Sequence, residues 1–343
     1  MTRSFRRAGL LIALSTLVSC IHQSPPAVHQ LAPAPPALEK ATVAYRKVNG
    51  HEILADIYRP KDSQARPVIV YIHGGALIIG NRQMVNQQMS TNYQLQAHLL
   101  SLAQENGYAL VSIDYRLAPE TKLPAIVNDV EAAFAWLGGD GARRFHFDTD
   151  RIVVVGDSAG GYLTLLTGYR VKPKPKALVV LYGYGDLDAD WYFKPNPYPN
   201  YNRQIITREV ALRQTDGTVI SDSRLRKGDG IKIYLYYRQN GLWPQEVSGF
   251  NPRLHAEEIA PYEPVRNITR EYPPTLLIHG TKDTDVPFEE SQKISEQLAI
   301  HGVPYIFRPI DKADHIFVGA DPAQVEDAYK TMREFMLKYL EAN

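Results

Sequence analysis

Residues 152–161 read Ile-Val-Val-Val-Gly-Asp-Ser-Ala-Gly-Gly, a short apolar run followed at once by a glycine-rich turn around Ser158. A helical pattern, Ala159–Tyr169, continues the chain. A turn from strand to helix of this kind is sharp and strained, so the residues beside the serine must be small, as Gly156 and Gly160 are. The stretch therefore predicts a buried strand, a turn that exposes the Ser158 hydroxyl above a sheet, and a helix whose N-terminus favours developing negative charge.

Beyond residue 40, the chain alternates short β-branched runs with longer helical patterns. This alternation is typical of an α/β fold with a mostly parallel sheet, and continuous apolar runs are typical of strands buried on both faces. Asn49-Gly50 predicts a tight turn between the first two strands, which would pair as an antiparallel hairpin. Eight strands are predicted: Thr42–Lys47, Ile53–Tyr58, Val68–Ile72, Ala109–Asp114, Ile152–Val155, Ala177–Leu181, Thr275–Ile278 and Tyr305–Arg308. The predicted helices are Gln94–Asn106, Pro124–Leu137, Ala159–Tyr169, Phe288–His301 and Pro322–Glu341.

Residues from about 188 to 271 break the alternation and are rich in proline and tyrosine. Because this segment lies between two predicted strands, we expect an inserted cap or lid rather than a separate domain. Aromatic residues in and just before the cap either build its own core or line an apolar pocket. They are Tyr184, Trp191, Tyr192, Tyr198, Tyr201, Tyr234, Tyr236, Tyr237 and Trp243.

Residues 1–20 have the pattern of a signal peptide, because three arginines precede an apolar run, Ala8–Val18, that is too short to span a bilayer. Cys20, the only cysteine of the chain, follows Leu17-Val18-Ser19. This arrangement resembles a bacterial lipoprotein signal, whose cysteine becomes the lipidated first residue. The resemblance predicts export to the cell envelope and a lipid anchor on Cys20 in the membrane; a plain secretory signal is the alternative.

Residues 21–40 are rich in proline and alanine and predict a weakly ordered tether. Residues 41–343 then form the folded domain, with the cap inserted at about 188–271. A single cysteine leaves no partner for an intramolecular disulfide.

The net charge of +1 and the lack of a sustained basic block argue against a nucleic-acid-binding protein. The chain has no P-loop lysine, no G-x-G-x-x-G, no H-E-x-x-H and no cysteine cluster. Asp186, Asp188 and Asp190 alternate as in a calcium loop, but Trp191 and Pro197 occupy positions that exclude an EF-hand. The sequence therefore predicts no metal and no cofactor, and a small molecule as the binding partner.

A serine hydroxyl becomes a nucleophile only when a base takes its proton, and a carboxylate must orient that base. When the serine lies on a strand–helix turn, the chain order is serine, acid, histidine. His315 follows the last predicted strand and precedes the last helix, which makes it the predicted base. His279 ends a strand before the acid, His255 lies in the cap and His301 closes a helix, so these three are weaker candidates.

Asp283 is the predicted acid, because it follows the strand that ends at His279-Gly280. Asp285 is two residues further on and remains an alternative. Asp311 and Asp314 are close to His315 in sequence and are interpreted as turn formers.

His73-Gly74-Gly75-Ala76 ends a central predicted strand and could direct backbone amides at an oxyanion. The amides of Gly75, Ala76 and Ala159 are the predicted donors. No motif identifies the substrate-binding residues.

Together, these motifs resemble the hormone-sensitive-lipase-like branch of the α/β-hydrolases. That branch pairs a His-Gly-Gly element with Gly-Asp-Ser-Ala-Gly-Gly and with an Asp-Tyr-Arg-Leu-Ala-Pro-Glu block, here Asp114–Glu120. Two features differ: the usual third glycine of the oxyanion element is Ala76, as in formamidase-like and carbohydrate-esterase-like members, and the cap is internal rather than N-terminal. Residues 276–287 also resemble prolyl-oligopeptidase catalytic domains, in which the first aspartate after His-Gly-x-x is the triad acid, and this supports Asp283.

The resemblance implies an α/β-hydrolase fold and a serine esterase that acts on carboxylic esters of short-acyl or acyl-sugar type through an acyl-enzyme. Arg116 and Glu120 are then structural residues. A prolyl-oligopeptidase-type peptidase is one alternative, although residues 21–66 are too few for the propeller that gates such enzymes. A non-catalytic binding lipoprotein on the same fold is another alternative.

Overall fold

The computed structural model of the protein describes residues 36–83 and 93–341. The described residues contain eight strands: β1 (Leu38–Val48), β2 (His51–Pro60), β3 (Arg66–Ile72), β4 (Ala109–Ile113), β5 (Phe147–Asp157), β6 (Ala177–Leu181), β7 (Thr275–Gly280) and β8 (Tyr305–Ile310). They form one sheet in the order β1-β2-β4-β3-β5-β6-β7-β8. Strand β2 pairs antiparallel with β1 and β4, and the other pairs are parallel. The predicted eight-stranded, mostly parallel sheet is confirmed.

The N-terminal predictions fall mostly outside the described residues. The predicted signal peptide, Cys20 and residues 21–35 of the predicted tether all lie there. The tether prediction extended too far, since β1 begins at Leu38, where sheet pairing with Pro60 of β2 already starts. Among the described residues, no helix is both long and apolar enough to cross a membrane.

The helices on the two faces of the sheet differ from the predicted ranges by no more than one residue at either end. In chain order, the described α-helices are α1 (Tyr93–Asn106), α2 (Leu123–Trp136), α3 (Ala142–Phe145), α4 (Ala159–Arg170), α5 (Asp190–Phe193), α6 (Pro199–Asn202), α7 (Arg208–Leu212), α8 (Ile231–Asn240), α9 (Trp243–Ser248), α10 (Ala256–Ile259), α11 (Pro264–Asn267), α12 (Glu289–Ile300) and α13 (Pro322–Glu341).

Both faces of the sheet are buried, which explains why its central strands are continuous apolar runs. Alternate side chains of β3 enter different cores: Val68 and Val70 pack on the face of α2 and α4, whereas Ile69 and Tyr71 pack on the face of α1 and α13. Packing on both faces therefore fixes the central strands. The loops that follow the carboxyl ends of these strands are fixed with them.

The predicted inserted cap is present between β6 and β7 as seven short helices, α5 to α11. Part of its aromatic content builds its own core, because Tyr192 stacks on Trp243 with ring centroids 4.3 Å apart and both are almost fully buried. Tyr234 instead lines a cleft beside Ser158. Both interpretations of the cap aromatics therefore apply, to different residues.

Gly160 marks the closest approach of α4 to the strand beside it. A Cβ atom at this position would lie 2.0 Å from the carbonyl oxygen of Ile72 and 2.5 Å from that of His73. Since backbone atoms cannot yield cheaply, we expect Gly160→Ala to lower the free energy of unfolding by about 3 kcal/mol. Urea denaturation followed by circular dichroism measures this change. Gly139→Ala is the matched control, because a Cβ there meets nothing within 4 Å; equal stability of the two variants would contradict the steric argument.

Candidate active site

Ser158 occupies the turn between β5 and α4, at the centre of the sheet's carboxyl edge. Its backbone has φ 51° and ψ −121°, a conformation that non-glycine residues rarely adopt. The Ser158 amide donates to the carbonyl oxygen of Leu181 at 2.9 Å, which fixes the turn to β6. The side chain is consequently held above the sheet and remains partly exposed.

His315 and Asp283 meet Ser158 at this edge. The Nε2 atom of His315 lies 3.1 Å from Ser158 Oγ, and its Nδ1 lies 2.7 Å from Asp283 Oδ2. Because a carboxylate only accepts hydrogen bonds, Nδ1 donates to Asp283 and the neutral ring leaves Nε2 to accept from the serine hydroxyl. The structure thus brings the three predicted residues together in the order that proton transfer requires.

The loop after β7 holds the Asp283 carboxylate through both oxygens. Oδ1 accepts from the amides of Asp285 and Val286 at 2.9 and 2.8 Å. Burial by itself raises the pKa of Asp283, but His315 and His279 outweigh it and hold that pKa well below the usual range for an aspartate. Asp283 is therefore ionised across the whole range in which the protein would work.

His279, which the sequence offered as a weaker candidate for the base, contacts the acid. Its Nε2 lies 3.2 Å from Asp283 Oδ2 and 3.0 Å from the Val286 carbonyl oxygen, so this nitrogen carries the hydrogen. Its Nδ1 then accepts from the Ser291 hydroxyl at 2.7 Å. This fully buried ring braces Asp283 from a second direction, a role that sequence reasoning missed. His255 and His301 are exposed on the surface.

Asp285, the alternative acid, approaches the other nitrogen of the base. Its Oδ2 is 3.8 Å from His315 Nε2, and its Oδ1 accepts a hydrogen bond from the Tyr234 hydroxyl of the cap. Asp285 therefore does not lie at Nδ1, where an orienting carboxylate must be. Asp314 instead organises the loops, accepting from the amides of Thr284 and His315, both at 2.7 Å.

The surroundings of His315 determine a pH dependence. Burial by itself lowers the pKa of His315, but the carboxylates of Asp283, Asp285 and Asp157 outweigh it and raise the pKa to about 9. The Tyr182 ring packs edge-on against the imidazole, with ring centroids 4.9 Å apart. Only the neutral imidazole can accept the serine proton. We therefore expect kcat/KM for a neutral ester to rise about tenfold per pH unit below about pH 9 and to level off above it.

A pH–rate profile between pH 6 and 10 measures that limb. Preincubation at each pH, followed by assay at one common pH, controls for loss of folded protein. A profile that is flat between pH 6 and 8 would show that His315 is already neutral there.

The loop after β3 carries the predicted oxyanion donors. Gly75 has φ 103°, and a Cβ atom on it would lie 2.2 Å from the carbonyl oxygen of Ile79, so only glycine fits. The Ile79 amide donates back to the Gly75 carbonyl at 2.8 Å, and the Trp243 indole of the cap donates to the Ala76 carbonyl at 3.0 Å. Among the described residues, the amides of Gly75 and Ala76 meet no acceptor, which leaves them able to donate to a ligand.

His73 supports this loop from below. Its ring stacks on Tyr115 with centroids 4.3 Å apart, and the Tyr115 hydroxyl donates to the His73 carbonyl at 2.8 Å. Burial lowers the pKa of His73 to about 4, so the ring is neutral. His73 therefore contributes rigidity and no positive charge.

Two buried ion pairs hold Arg116 and Glu120 of the Asp114–Glu120 block. Arg116 binds both oxygens of Asp129, at 2.7 and 2.8 Å, and Glu120 pairs with Arg226 of the cap. These contacts are structural and lie away from Ser158. Sequence reasoning missed Arg82, which follows the oxyanion loop and donates to Asp114 at 2.7 Å and to Asp56 at 2.9 Å.

Ser158 opens into a cleft of about 330 Å³ between the sheet edge and the cap. Ile79, Ile231 and Ile316 give it apolar walls, and Tyr234 and Asp285 contribute polar atoms. A cleft of this volume suits a small substrate or the reacting end of a larger one.

Asp186, Asp188 and Glu263 bring carboxylate oxygens within 4.8 Å of one another. Side-chain cations already pair with all three of these groups: Lys293 lies 2.7 Å from Asp186, and Arg266 lies 2.8 Å from Asp188 and 2.7 Å from Glu263. Each carboxylate of the cluster thus already has a cationic partner within the protein, which does not favour a metal ion.

Two family models match this chain, each over less than half of its length. The model of the family BD-FAE matches residues 55–191, which include the oxyanion loop and Ser158. The model of the prolyl oligopeptidase family matches residues 233–343, which include Asp283 and His315.

Solved structures share the fold of most of the chain. An α/β-hydrolase superfamily protein from Enterococcus faecalis is similar with a TM-score of 0.64 and 23% identity, over 88% of this chain and 99% of that protein. Esterase 2 of Thermogutta terrifontis is similar with a TM-score of 0.57 and 20% identity, over 89% of this chain and 96% of that enzyme. At these identities the likeness establishes the fold.

Curated relatives are much larger proteins. The chain is 28% identical to the non-reducing polyketide synthase adrD of Penicillium roqueforti over 93% of its own length, but it spans only 15% of that synthase. The sheet, the family models and the solved structures agree: the chain has the α/β-hydrolase fold, and its side chains at the carboxyl edge of the sheet are arranged as in a serine hydrolase.

Proposed function

We propose that the protein is a serine esterase that hydrolyses carboxylic esters with a short acyl or an acyl-sugar group. The observation that supports this most directly is the unbroken hydrogen-bonded line from Ser158 Oγ through the His315 ring to Asp283, with distances of 3.1 and 2.7 Å. Such a line activates a hydroxyl for attack on a carbonyl carbon.

In the proposed reaction, Ser158 Oγ attacks the ester carbonyl while His315 Nε2 takes the hydroxyl proton. The amides of Gly75, Ala76 and Ala159 stabilise the oxyanion that forms on the carbonyl oxygen. His315 then gives its proton to the departing alcohol, which leaves an acyl group on Ser158. Water, activated by the same histidine, releases the carboxylic acid and restores the serine.

Asp283 keeps the base ready in both half-reactions. Its carboxylate holds the Nδ1 hydrogen, so Nε2 always faces the serine, and its negative charge stabilises the imidazolium that forms in each step. The two amide bonds to Oδ1 and the His279 bond to Oδ2 prevent the carboxylate from rotating away.

A peptidase is the second candidate, because the prolyl oligopeptidase family model matches the part of the chain with Asp283 and His315. The polyketide synthase relatives add acyl thioesters to the substrates worth testing. The cleft volume and the likeness to an enzyme named as an esterase favour esters.

A substrate panel tests this choice: p-nitrophenyl esters of increasing acyl length, acetylated sugars, an acyl thioester and a proline-containing peptide p-nitroanilide. We expect hydrolysis of the short esters and acetylated sugars to exceed hydrolysis of the peptide. Faster turnover of the peptide would replace the esterase proposal by the peptidase. A fluorophosphonate probe that fails to label the folded protein would favour a non-catalytic binding protein.

The sequence pattern of residues 1–20 adds the proposal that this esterase is exported and held at a bacterial membrane by a lipid on Cys20. That segment lies outside the described residues, so this part of the proposal depends on the sequence alone.

A further inference from the structure

The formal charges that border the Ser158 cleft are of one sign, apart from His315 itself. Among the described side chains that line it, Asp157 and Asp285 are carboxylates, and lysine and arginine do not occur. His73 is neutral, because burial lowers its pKa to about 4. Residues 84–92, outside the described part of the chain, contain no charged residue in their sequence.

The two carboxylates differ in how they face the cleft. Asp157 is 1% exposed and its Oδ1 accepts from the Tyr71 hydroxyl at 2.7 Å, so it acts mainly inside the protein. The Asp285 side chain is 13% exposed, and its Oδ2 points to His315 Nε2 at 3.8 Å. Asp285 is thus the carboxylate that a substrate can approach.

Arg238 of α8 lies behind Asp285 and does not cancel its charge on the cleft side. The guanidinium donates to the Asp285 carbonyl at 3.0 Å, its Nε lies 3.6 Å from Oδ1, and it is 3% exposed without lining this cleft. The Tyr234 hydroxyl also donates to Oδ1. Tyr234 therefore binds Oδ1 and Arg238 lies near the same oxygen, whereas Oδ2 is directed to His315 Nε2 on the cleft side.

Asp285 lies near the place where the alcohol part of an ester would leave. His315 Nε2 is 3.1 Å from Ser158 Oγ and 3.8 Å from Asp285 Oδ2, so these two oxygens are at most about 7 Å apart. In the proposed reaction, Nε2 delivers its proton to the departing alcohol oxygen, which must therefore leave beside this nitrogen. The carbonyl oxygen is directed to the amides of Gly75 and Ala76 instead.

We propose that Asp285 is a specificity-determining residue that disfavours esters with an anionic alcohol group and favours those whose alcohol group is neutral or cationic. This inference rests on the proposed esterase function. A unit charge on the alcohol group, if it lies on the order of 7 Å from this partly buried carboxylate, should change kcat/KM several-fold in each direction, giving about a tenfold difference between cation and anion.

Three S-acetyl thioesters test the proposal, because they share the acyl group and differ in the charge of the leaving thiol. Since the thiols also differ in pKa, each kcat/KM is divided by the hydroxide-catalysed hydrolysis rate of the same substrate. They are acetylthiocholine (cationic), S-acetyl-2-mercaptoethanol (neutral) and S-acetyl-3-mercaptopropionate (anionic). Released thiol is measured with Ellman's reagent, and the quantity compared is the ratio of kcat/KM between cationic and anionic substrates. This ratio does not depend on the fraction of folded enzyme, so a partly destabilised variant remains informative.

We expect a ratio of about ten in the unaltered protein, reduced at least about threefold by Asp285→Asn. Asp311→Asn is the matched control, since it removes the same charge from an exposed residue that does not line the cleft, and it should leave the ratio unchanged. Equal kcat/KM for the three substrates, or an unchanged ratio in Asp285→Asn, would overturn the inference while leaving the esterase proposal intact. If none of the three substrates, nor p-nitrophenyl acetate, is hydrolysed, the esterase proposal itself fails.

Discussion

Replacing Ser158 by alanine should lower kcat/KM for p-nitrophenyl acetate by about 10⁴-fold or more, because no other hydroxyl is hydrogen-bonded to His315 among the described residues. The residual rate would come from the oxyanion amides and from substrate binding. The fold should remain, since the Ser158 contact to β6 is made by its backbone amide, which alanine retains.

Three measurements together make this result decisive. Steady-state kinetics gives the loss of activity, thermal unfolding shows that the variant is folded, and a fluorophosphonate probe reports whether a reactive serine is left. Ser101→Ala, an exposed serine on α1, is the control for the same change elsewhere and should keep full activity. Retained hydrolysis or retained labelling in Ser158→Ala would refute the assignment of the nucleophile.

Replacing Asp283 by asparagine should lower kcat/KM by about 10³- to 10⁴-fold at a pH above the acid limb. An asparagine amide can donate to Nδ1, which then turns the imidazole into the tautomer with hydrogen on Nε2, and this tautomer cannot accept the serine proton. The packing around position 283 should change little because the two side chains have nearly the same shape.

Asp285→Asn, compared under the same conditions, decides between the two possible acids. It should lower kcat/KM for a neutral ester by less than about tenfold, since Asp285 lies 3.8 Å from Nε2 and does not reach Nδ1. Melting temperatures of both variants control for the loss of the charge that faces the buried Arg238. The reverse order of effects would make Asp285 the orienting acid.

The sheet and its flanking helices were predictable because each carries its own local signal. The β5–α4 turn combines an apolar run, glycines at fixed positions and a helical pattern, and both faces of β3 and β5 are buried, as their continuous apolar runs imply. The cap was predicted only as an insertion. Its seven helices are at most ten residues long, too short for a clear period of 3.6, and they are held by contacts with distant parts of the chain.

The residues of the candidate site were likewise predictable only where they carry a local signal in the sequence. Ser158, His315, Asp283 and the Gly75 loop were identified because each lies where a strand ends. The residues that surround them were missed because their partners are far apart in sequence: Trp243 binds the Ala76 carbonyl across 167 positions, and Tyr234 binds Asp285 across 51. Pairings of this kind leave no local pattern in a single sequence.

The cap contacts both the oxyanion loop and the loop that carries the predicted acid. Trp243 of α9 binds the oxyanion loop, while Tyr234 and Arg238 of α8 bind the loop that carries Asp283. Exchanging this insertion for that of another superfamily member would therefore alter turnover as well as substrate choice. Single side chains such as Ile231 line the cleft without taking part in these anchoring bonds. In evolution, a new specificity on this scaffold is therefore more accessible through substitution of such side chains than through replacement of the whole cap.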